Sequence, residues 1–326
     1  MKQLKETAAK IKSMEIRGAG RMARAVAAEL RDYAQRIASD DIVEFNKKMK
    51  LAEELIVSTR PTAVSLPNAV RAVMRYKGNT VDEARKNIKT LADEFIIGSE
   101  NAVKRIGEIG AKRVQDGDTI MTHCNSSAAI SIIATAHAQG KDITVIATES
   151  RPRMQGLLTI KQLDSLGIKT SLIVDSAVRY FMKEVDIVVM GADAVTVNGS
   201  VINKIGTSQL AMAAHESRRN VIIAAETYKF SPRTILGELV EIEERDEAEV
   251  LSREKLAELP NVRVKNPAFD VTPREYIDLI CTEVGAIPPE MAYVIIKEFL
   301  GWGIEDYGVI KPLDYLPESQ HNNCDF

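Results

Sequence analysis

Along the first third of the chain, apolar positions recur at helical spacing, and no apolar–polar alternation interrupts them before about Thr119. That spacing predicts helices over Arg21–Ile37, Asp40–Val57, Asn68–Tyr76 and Thr80–Val114. Thr80 with Glu83 has the spacing of a capping box, and Gly78 ends the preceding helix. After Gly117 the texture changes. Short apolar runs at Thr119–Thr122, Ile143–Thr148, Thr170–Val174, Ile187–Met190 and Val221–Ala225 alternate with helical patterns at Ala128–Gln139, Leu157–Leu166, Ala177–Lys183 and Ser208–Arg218. Gly140 and Gly167 stand where C-caps fall. Such alternation builds βαβ units and a parallel sheet with helices on both faces. The expected fold class is α/β: a helical N-terminal domain (1–115), then a Rossmann-like doubly wound parallel-sheet domain (116–326), joined near Arg113–Gly117. Nothing repeats internally, and only Pro317–Phe326 reads as a loose tail.

With 326 residues, 45% apolar and 27% charged, the chain has material for two domains and a sizeable core. A net charge of -3 gives no overall basic field, which disfavours a nucleic-acid partner. No apolar run approaches the roughly 20 residues that cross a bilayer. The opening Met1-Lys2-Gln3-Leu4-Lys5-Glu6 lacks a signal-peptide core, so a cytoplasmic protein with no membrane partner is expected. Cys124, Cys281 and Cys324 form neither a disulfide framework nor a metal quartet, and Cys281 reads as part of an apolar helical run. His137, His215 and His321 lack metal-ligand spacing, so no metal is expected. Neither a Gly-x-Gly-x-x-Gly after a strand nor a phosphate loop ending Gly-Lys-Ser/Thr is present.

Two strand ends carry chemistry. Ile187–Met190 delivers Asp193 through Gly191-Ala192, and strand C-termini are where ligands bind in open α/β sheets. Asp193 is either a turn cap or, if buried behind its apolar approach, a carboxyl with a raised pKa. Cys124, in Thr122-His123-Cys124-Asn125-Ser126-Ser127, follows the first strand and precedes a helix capped by Asn or Ser. It is either a small buried apolar residue or a thiol whose pKa the helix N-terminus lowers. A lowered thiol and a raised carboxyl would make a base–acid pair, provided the two strands are neighbours. His123 should point the other way along the strand, which argues against a Cys–His dyad. Arg17-Gly18-Ala19-Gly20 before a helix, Arg60 in a breaker loop, Lys204 after the Gly199 turn and Lys229 after the last strand could converge on an anion, or could be solvated surface charges. Ser126 and Ser127 add hydroxyls at a helix start, and Glu241–Glu249 reads as a solvated acidic face.

These segments, with Glu149-Ser150-Arg151-Pro152-Arg153-Met154-Gln155-Gly156, Asn203-Lys204-Ile205-Gly206-Thr207 and Asn266-Pro267-Ala268-Phe269-Asp270-Val271-Thr272-Pro273, resemble a known family. That family unites ribose 1,5-bisphosphate isomerase, methylthioribose-1-phosphate isomerase and the regulatory subunits of translation initiation factor 2B. The resemblance implies an aldose–ketose isomerase that turns α-D-ribose 1,5-bisphosphate into D-ribulose 1,5-bisphosphate, in AMP and nucleoside degradation feeding Rubisco. It implies Cys124 as base and Asp193 as acid. It implies substrate contacts from Arg17, Gly18, Ala19, Gly20, Arg60, Ser126, Ser127, Ala128, Asn203, Lys204 and Lys229, with Gln155 near the sugar, and no cofactor. A homo-oligomer, either a dimer or a hexamer built as a trimer of dimers, is implied as well. Arg-Gly-Ala-Gly in place of Arg-Gly-Ala-Pro, Ser176–Met182 and Ile287-Pro288-Pro289 resemble the bisphosphate branch. The methylthioribose branch and a non-catalytic initiation-factor-like subunit are the alternatives, although the latter subunits lack the Cys and Asp pair.

Overall fold

The computed structural model describes residues 1–13, 15–16, 18–60 and 63–301. Five helices come first: α1 (Lys2–Lys12), α2 (Ala19–Arg36), α3 (Ile42–Val57), α4 (Ser65–Met74) and α5 (Val81–Gly110). Asp41 caps α3 by accepting from the N–H groups of Val43 and Glu44, and Thr80 with Glu83 forms the anticipated capping box on α5. The apolar stripes meet in one core that includes Leu30, Phe45, Met49, Leu66 and Ile88. Helix α4 starts three residues before the expected Asn68, because Pro67 fits within a first helical turn, where its missing N–H is not needed.

From Thr119 the chain alternates: β1 (Thr119–Thr122), α6 (Ser127–Ala138), β2 (Thr144–Thr148), α7 (Gly156–Ser165), β3 (Lys169–Ile173), α8 (Val178–Phe181) and β4 (Ile187–Gly191). Then follow β5 (Ala194–Val195), β6 (Val201–Lys204), α9 (Thr207–Glu216), β7 (Asn220–Ala224), α10 (Arg253–Ala257), β8 (Phe269–Thr272), β9 (Leu279–Thr282), β10 (Gly285–Ile287) and α11 (Ala292–Leu300). The main sheet runs β10-β9-β7-β4-β1-β2-β3, parallel except for β10. Alternate residues of each central strand face opposite cores: Met121, Val188 and Ile223 one way, Ile120, Val189 and Ile222 the other. This is the doubly wound arrangement expected.

The strand order reverses between β1 and β4: β2 and β3 extend to one side, β7 and β9 to the other. Such a switch point opens a crevice at the strand C-termini. A second, antiparallel sheet, β5-β6-β8, stands at that end of β4. Helix α5 lies along α6 and ties the helical layer to the sheet. The approach needs glycine: a Cβ at Gly107 would sit 2.3 Å from Ser131 Oγ. Cys281 lies on β9, not in a helix. Its apolar run is too short for periodicity to separate strand from helix. Among the described residues no helix is long and apolar enough to cross a membrane.

Candidate active site

Beyond the C-terminal ends of β1 and β4 lies a cavity of about 660 Å³, and both Cys124 and Asp193 line it. The strands that deliver them are hydrogen-bonded neighbours, with Ile120 opposite Ile187 and Met121 opposite Val188. The condition on which their pairing depended is therefore met.

The β1–α6 turn is held by hydrogen bonds from both sides of Cys124 and at the start of α6. Cys124 adopts φ 67°, its N–H donates to Ser150 Oγ at 2.7 Å, and its carbonyl accepts from Thr159 Oγ1 at 2.6 Å. Ser126 caps α6 by accepting from the Ala129 N–H at 3.3 Å. His123 is turned away and buried, donating from Nε2 to the Ile205 carbonyl at 2.8 Å and accepting at Nδ1 from Thr148 Oγ1 at 2.6 Å. Burial keeps its pKa below the ordinary value. No Cys–His dyad forms, as the strand alternation predicted.

The thiol does not behave as expected. Burial pushes Cys124 up to about 11, and the nearby Lys204 ammonium only partly opposes this. The field of the α6 N-terminus, on which the lowered pKa rested, loses to desolvation. Asp193 follows expectation: burial raises its pKa, against the pull of Lys229, Lys204 and Arg60. Its own backbone is pinned by an N–H donated to the Ile202 carbonyl at 2.9 Å. In the turn before it, Gly191 leaves room for the cap: a Cβ there would lie 2.3 Å from Ser126 Oγ.

Strand β6 presents Asn203 and Lys204, both nearly buried. Asn203 Nδ2 donates to Thr207 Oγ1 at 2.9 Å. Lys204 Nζ donates to the Ala268 carbonyl at 2.9 Å and lies 4.8 Å above the Phe269 ring, and burial lowers its pKa. After β7, Lys229 Nζ sits 2.6 Å from Glu226 Oε2. Burial pushes the Glu226 carboxyl up, but Lys229 and Tyr228 outweigh it and hold the pKa low. Tyr228 Oη donates to Glu226 Oε1 at 3.0 Å and accepts from Ser99 on α5, which connects the wall to the helical layer.

The helical layer closes the opposite wall. Gly18, with φ 88°, caps α2, so Gly18, Ala19 and Gly20 bring a helix N-terminus to the cavity, and Arg60 arrives from beyond α3. Arg17 lies outside the described residues. Ser126, Ser127, Asn203, Lys204, Lys229 and Gln155 also line the space. Gln155 Oε1 is buried and has no hydrogen-bond partner among the described residues. Ala128 departs from expectation: it is fully buried and packs into the core with Ile120 and Ile132. Its place one position deeper on α6 turns the methyl inward.

Several lining residues escaped sequence reasoning: Arg24, Glu100, Arg153 and Arg245. The segment 241–249 is a solvated face only in part: Glu244, Asp246 and Glu247 are exposed as expected, while other side chains turn to the cavity or to its arginines. Glu241 lines the cavity, Glu243 Oε2 accepts from Arg60 Nη2 at 2.5 Å, and Glu249 Oε1 accepts from Arg153 Nε at 2.9 Å. The signal available was the number of arginines in the neighbouring motifs, which acidic partners could match. No group of three or more His, Cys, Asp or Glu residues placed to hold a metal occurs among the described residues. The arrangement combines an acid and a thiol over one space rimmed by cations, suited to moving protons on an anionic ligand.

The model of the initiation factor 2 subunit family matches residues 15–289. The chain is 59% identical over 307 residues to ribose 1,5-bisphosphate isomerase of Archaeoglobus fulgidus, covering 94% of this chain and 96% of that protein. It is 37% identical over 305 residues to methylthioribose-1-phosphate isomerase of Acetivibrio thermocellus, covering 89% of each. Among solved structures, translation initiation factor eIF-2B of Pyrococcus horikoshii superposes with a TM-score of 0.76 at 35% identity, covering 89% of this chain and 98% of that one.

Proposed function

The chain belongs to the initiation factor 2 subunit family, and from that premise we propose that it converts α-D-ribose 1,5-bisphosphate to D-ribulose 1,5-bisphosphate. That it is a sugar-phosphate isomerase follows from the extent of its likeness to such enzymes; the substrate and the roles of the side chains are our reading. One observation carries it. Cys124 and Asp193 leave adjacent strands at the switch point and flank one cavity.

The chemistry assigns each a step. A phosphate on C1 locks the pentose as a ring. Asp193, whose pKa its desolvated site raises, gives its proton in the protonated form to the ring oxygen as the C1–O bond breaks. The bonding pair goes to that oxygen, which becomes the C4 hydroxyl, and C1 is left cationic beside its phosphoester oxygen. Cys124 as thiolate then takes the C2 proton, and the C–H pair forms the C1–C2 double bond of an enediol phosphate. The C2 hydroxyl returns a proton to Asp193, and C1 takes one from Cys124, which yields the ketose. Each proton-transfer role typically contributes about 10²–10⁴-fold. With the free thiol near 11, the reactive combination is a minority state at neutral pH, and the cation at C1 is what draws the thiol toward ionisation.

Lys204, Lys229, Arg60, Ser126, Ser127 and the α2 N-terminus supply the anion ligands of this reading. The surplus of cations around the cavity favours two phosphates over one, and so the bisphosphate over methylthioribose 1-phosphate. Arg17, in the same motif, is assigned to the phosphate as well. A homo-oligomer belongs to the reading too: β3 is a sheet edge with Leu172 and Val174 exposed, and sedimentation analysis tests it. A place in AMP and nucleoside breakdown depends on the substrate. The deciding experiment incubates the purified protein with α-D-ribose 1,5-bisphosphate, and in parallel with methylthioribose 1-phosphate, and follows the ketose by NMR. Turnover of only the second moves the assignment to the sister reaction. Turnover of neither, with both ligands bound, leaves a regulatory subunit.

A further inference from the structure

Arg245, Arg153 and Glu243, which stand around Arg60, have no role in that reading. Arg245, on the long connection between β7 and β8, lines the cavity with its side chain only 9% exposed. Its Nε–H is buried without a hydrogen-bond partner among the described residues, and Glu243 Oε1, an ion-pair neighbour, stands 3.6 Å away. Glu243 is shared, since its other oxygen takes Arg60. Arg153 faces the same space, held by Glu249. Burial, with Arg153 and Arg60 close by, pushes Arg245 below its ordinary pKa despite Glu243. Three guanidiniums thus divide two carboxylates, and one buried donor goes unmatched.

A buried N–H without a partner is costly, and natural structures seldom keep one without a use. Guanidinium forks match phosphate oxygens in paired hydrogen bonds, and they bind best where water is excluded. Resting on the bisphosphate reading above, we propose that Arg245, with Arg60 and Arg153, forms the pole that takes one of the two phosphates, and that Glu243 is the internal anion this phosphate displaces. The pole then sets selectivity for a bisphosphate over a monophosphate. Arg245 and Glu243, which touch each other, act on binding with opposite sign.

Calorimetric titration of D-ribulose 1,5-bisphosphate, ribose 1-phosphate and ribose 5-phosphate into the wild-type protein, Arg245→Leu and Glu243→Gln tests this. Arg245→Leu should weaken the bisphosphate about tenfold or more and weaken only one of the two monophosphates. Glu243→Gln should tighten the bisphosphate. Removing an unmatched buried cation should leave the melting temperature of Arg245→Leu unchanged or raised, which a structural arginine would not do. Equal weakening of both monophosphates, no weakening of either, weaker binding by Glu243→Gln, or a lowered melting temperature with unaltered binding overturns the pole. A wild-type protein that fails to bind the bisphosphate overturns instead the functional reading, so the two failures are told apart.

Discussion

Two parts of the cavity wall are built on opposite plans. The turns after β1 and β4 are short and their backbone is held: Cys124 by Ser150 and Thr159, Asp193 by Ile202, with Ser126 packed against Gly191. The connection between β7 and β8, residues 225–268, is long and carries only one short α-helix, α10, and three single 3-10 segments. It reaches the cavity through ion pairs, Glu243 with Arg60 and Glu249 with Arg153. Proton transfer needs donors and acceptors held to a fraction of an ångström, which element ends provide. Anion capture tolerates a looser frame, because charge acts over distance. The difference assigns chemistry to the first region and ligand recognition to the second.

The largest effects should come from the rigid turns. Cys124→Ser should lower kcat by about 10³-fold or more while product binding stays within a few-fold, because a hydroxyl is a far weaker base than a thiolate. Asp193→Asn should cost about 10²–10⁴-fold, again mainly in kcat. Steady-state kinetics beside calorimetric binding separate the two quantities. If either change raised KM and spared kcat, the turns would be binding elements and the contrast would dissolve.

A pH dependence comes next. Cys124 alkylation by iodoacetamide, followed by mass spectrometry of its peptide, should keep rising about tenfold per pH unit through pH 9 and toward 10, since only the thiolate reacts and the thiol titrates near 11. In turnover the active form needs Asp193 protonated and Cys124 ionised. Below the carboxyl pKa the rate then rises with pH as thiolate accumulates. Between the two pKa values it is level, and above about 11 it falls as protonated Asp193 vanishes. The alkaline limb therefore reports the thiol. An alkylation plateau near pH 8 would show that the helix N-terminus prevails over burial after all.

That reversal marks where the sequence stops being legible. Strand–helix alternation announced the parallel sheet and placed Cys124 and Asp193 at strand ends, because periodicity and caps are local signals. Whether the thiol is lowered or raised depends on how much water the folded wall excludes, and that is set by α2, α5 and the β7–β8 connection together. The small sheet was invisible for a related reason: β5 has two residues, and β6 pairs with β8 across 67 positions, Asn203 opposite Asp270. Glu243 and Glu249 read as solvated because their arginine partners are 183 and 96 positions away. Arg153 and Arg245 were missed with them.

Middle-sized effects should separate the regions by stability. Gly191→Ala would drive a methyl to 2.3 Å from Ser126 Oγ and 2.5 Å from its Cβ, displacing the cap of α6. A loss of about 1–3 kcal/mol in chemical denaturation is expected. Adding Ser126→Gly should recover part of it, since that removes the atoms in collision. Gly237→Ala, in the β7–β8 connection, meets open space and carries only the strain of φ 79°, about 1 kcal/mol. Equal losses would show that the two regions are held alike.

The smallest effect is the sharpest check on the looser region. Arg233 and Glu238 form an ion pair at 2.7 Å on the same connection, with side chains 64% and 45% exposed. Exposed pairs contribute about 0–1 kcal/mol, so Arg233→Ala should barely move the denaturation midpoint. It should leave KM for the bisphosphate unchanged, because water and salt screen a charge at that exposure. Arg245, a few residues along, has a side chain only 9% exposed and should dominate binding. A shift in KM from Arg233→Ala comparable to that from Arg245→Leu would mean that the connection acts through its overall charge, and recognition by a buried set of guanidiniums would then be the wrong description of this wall.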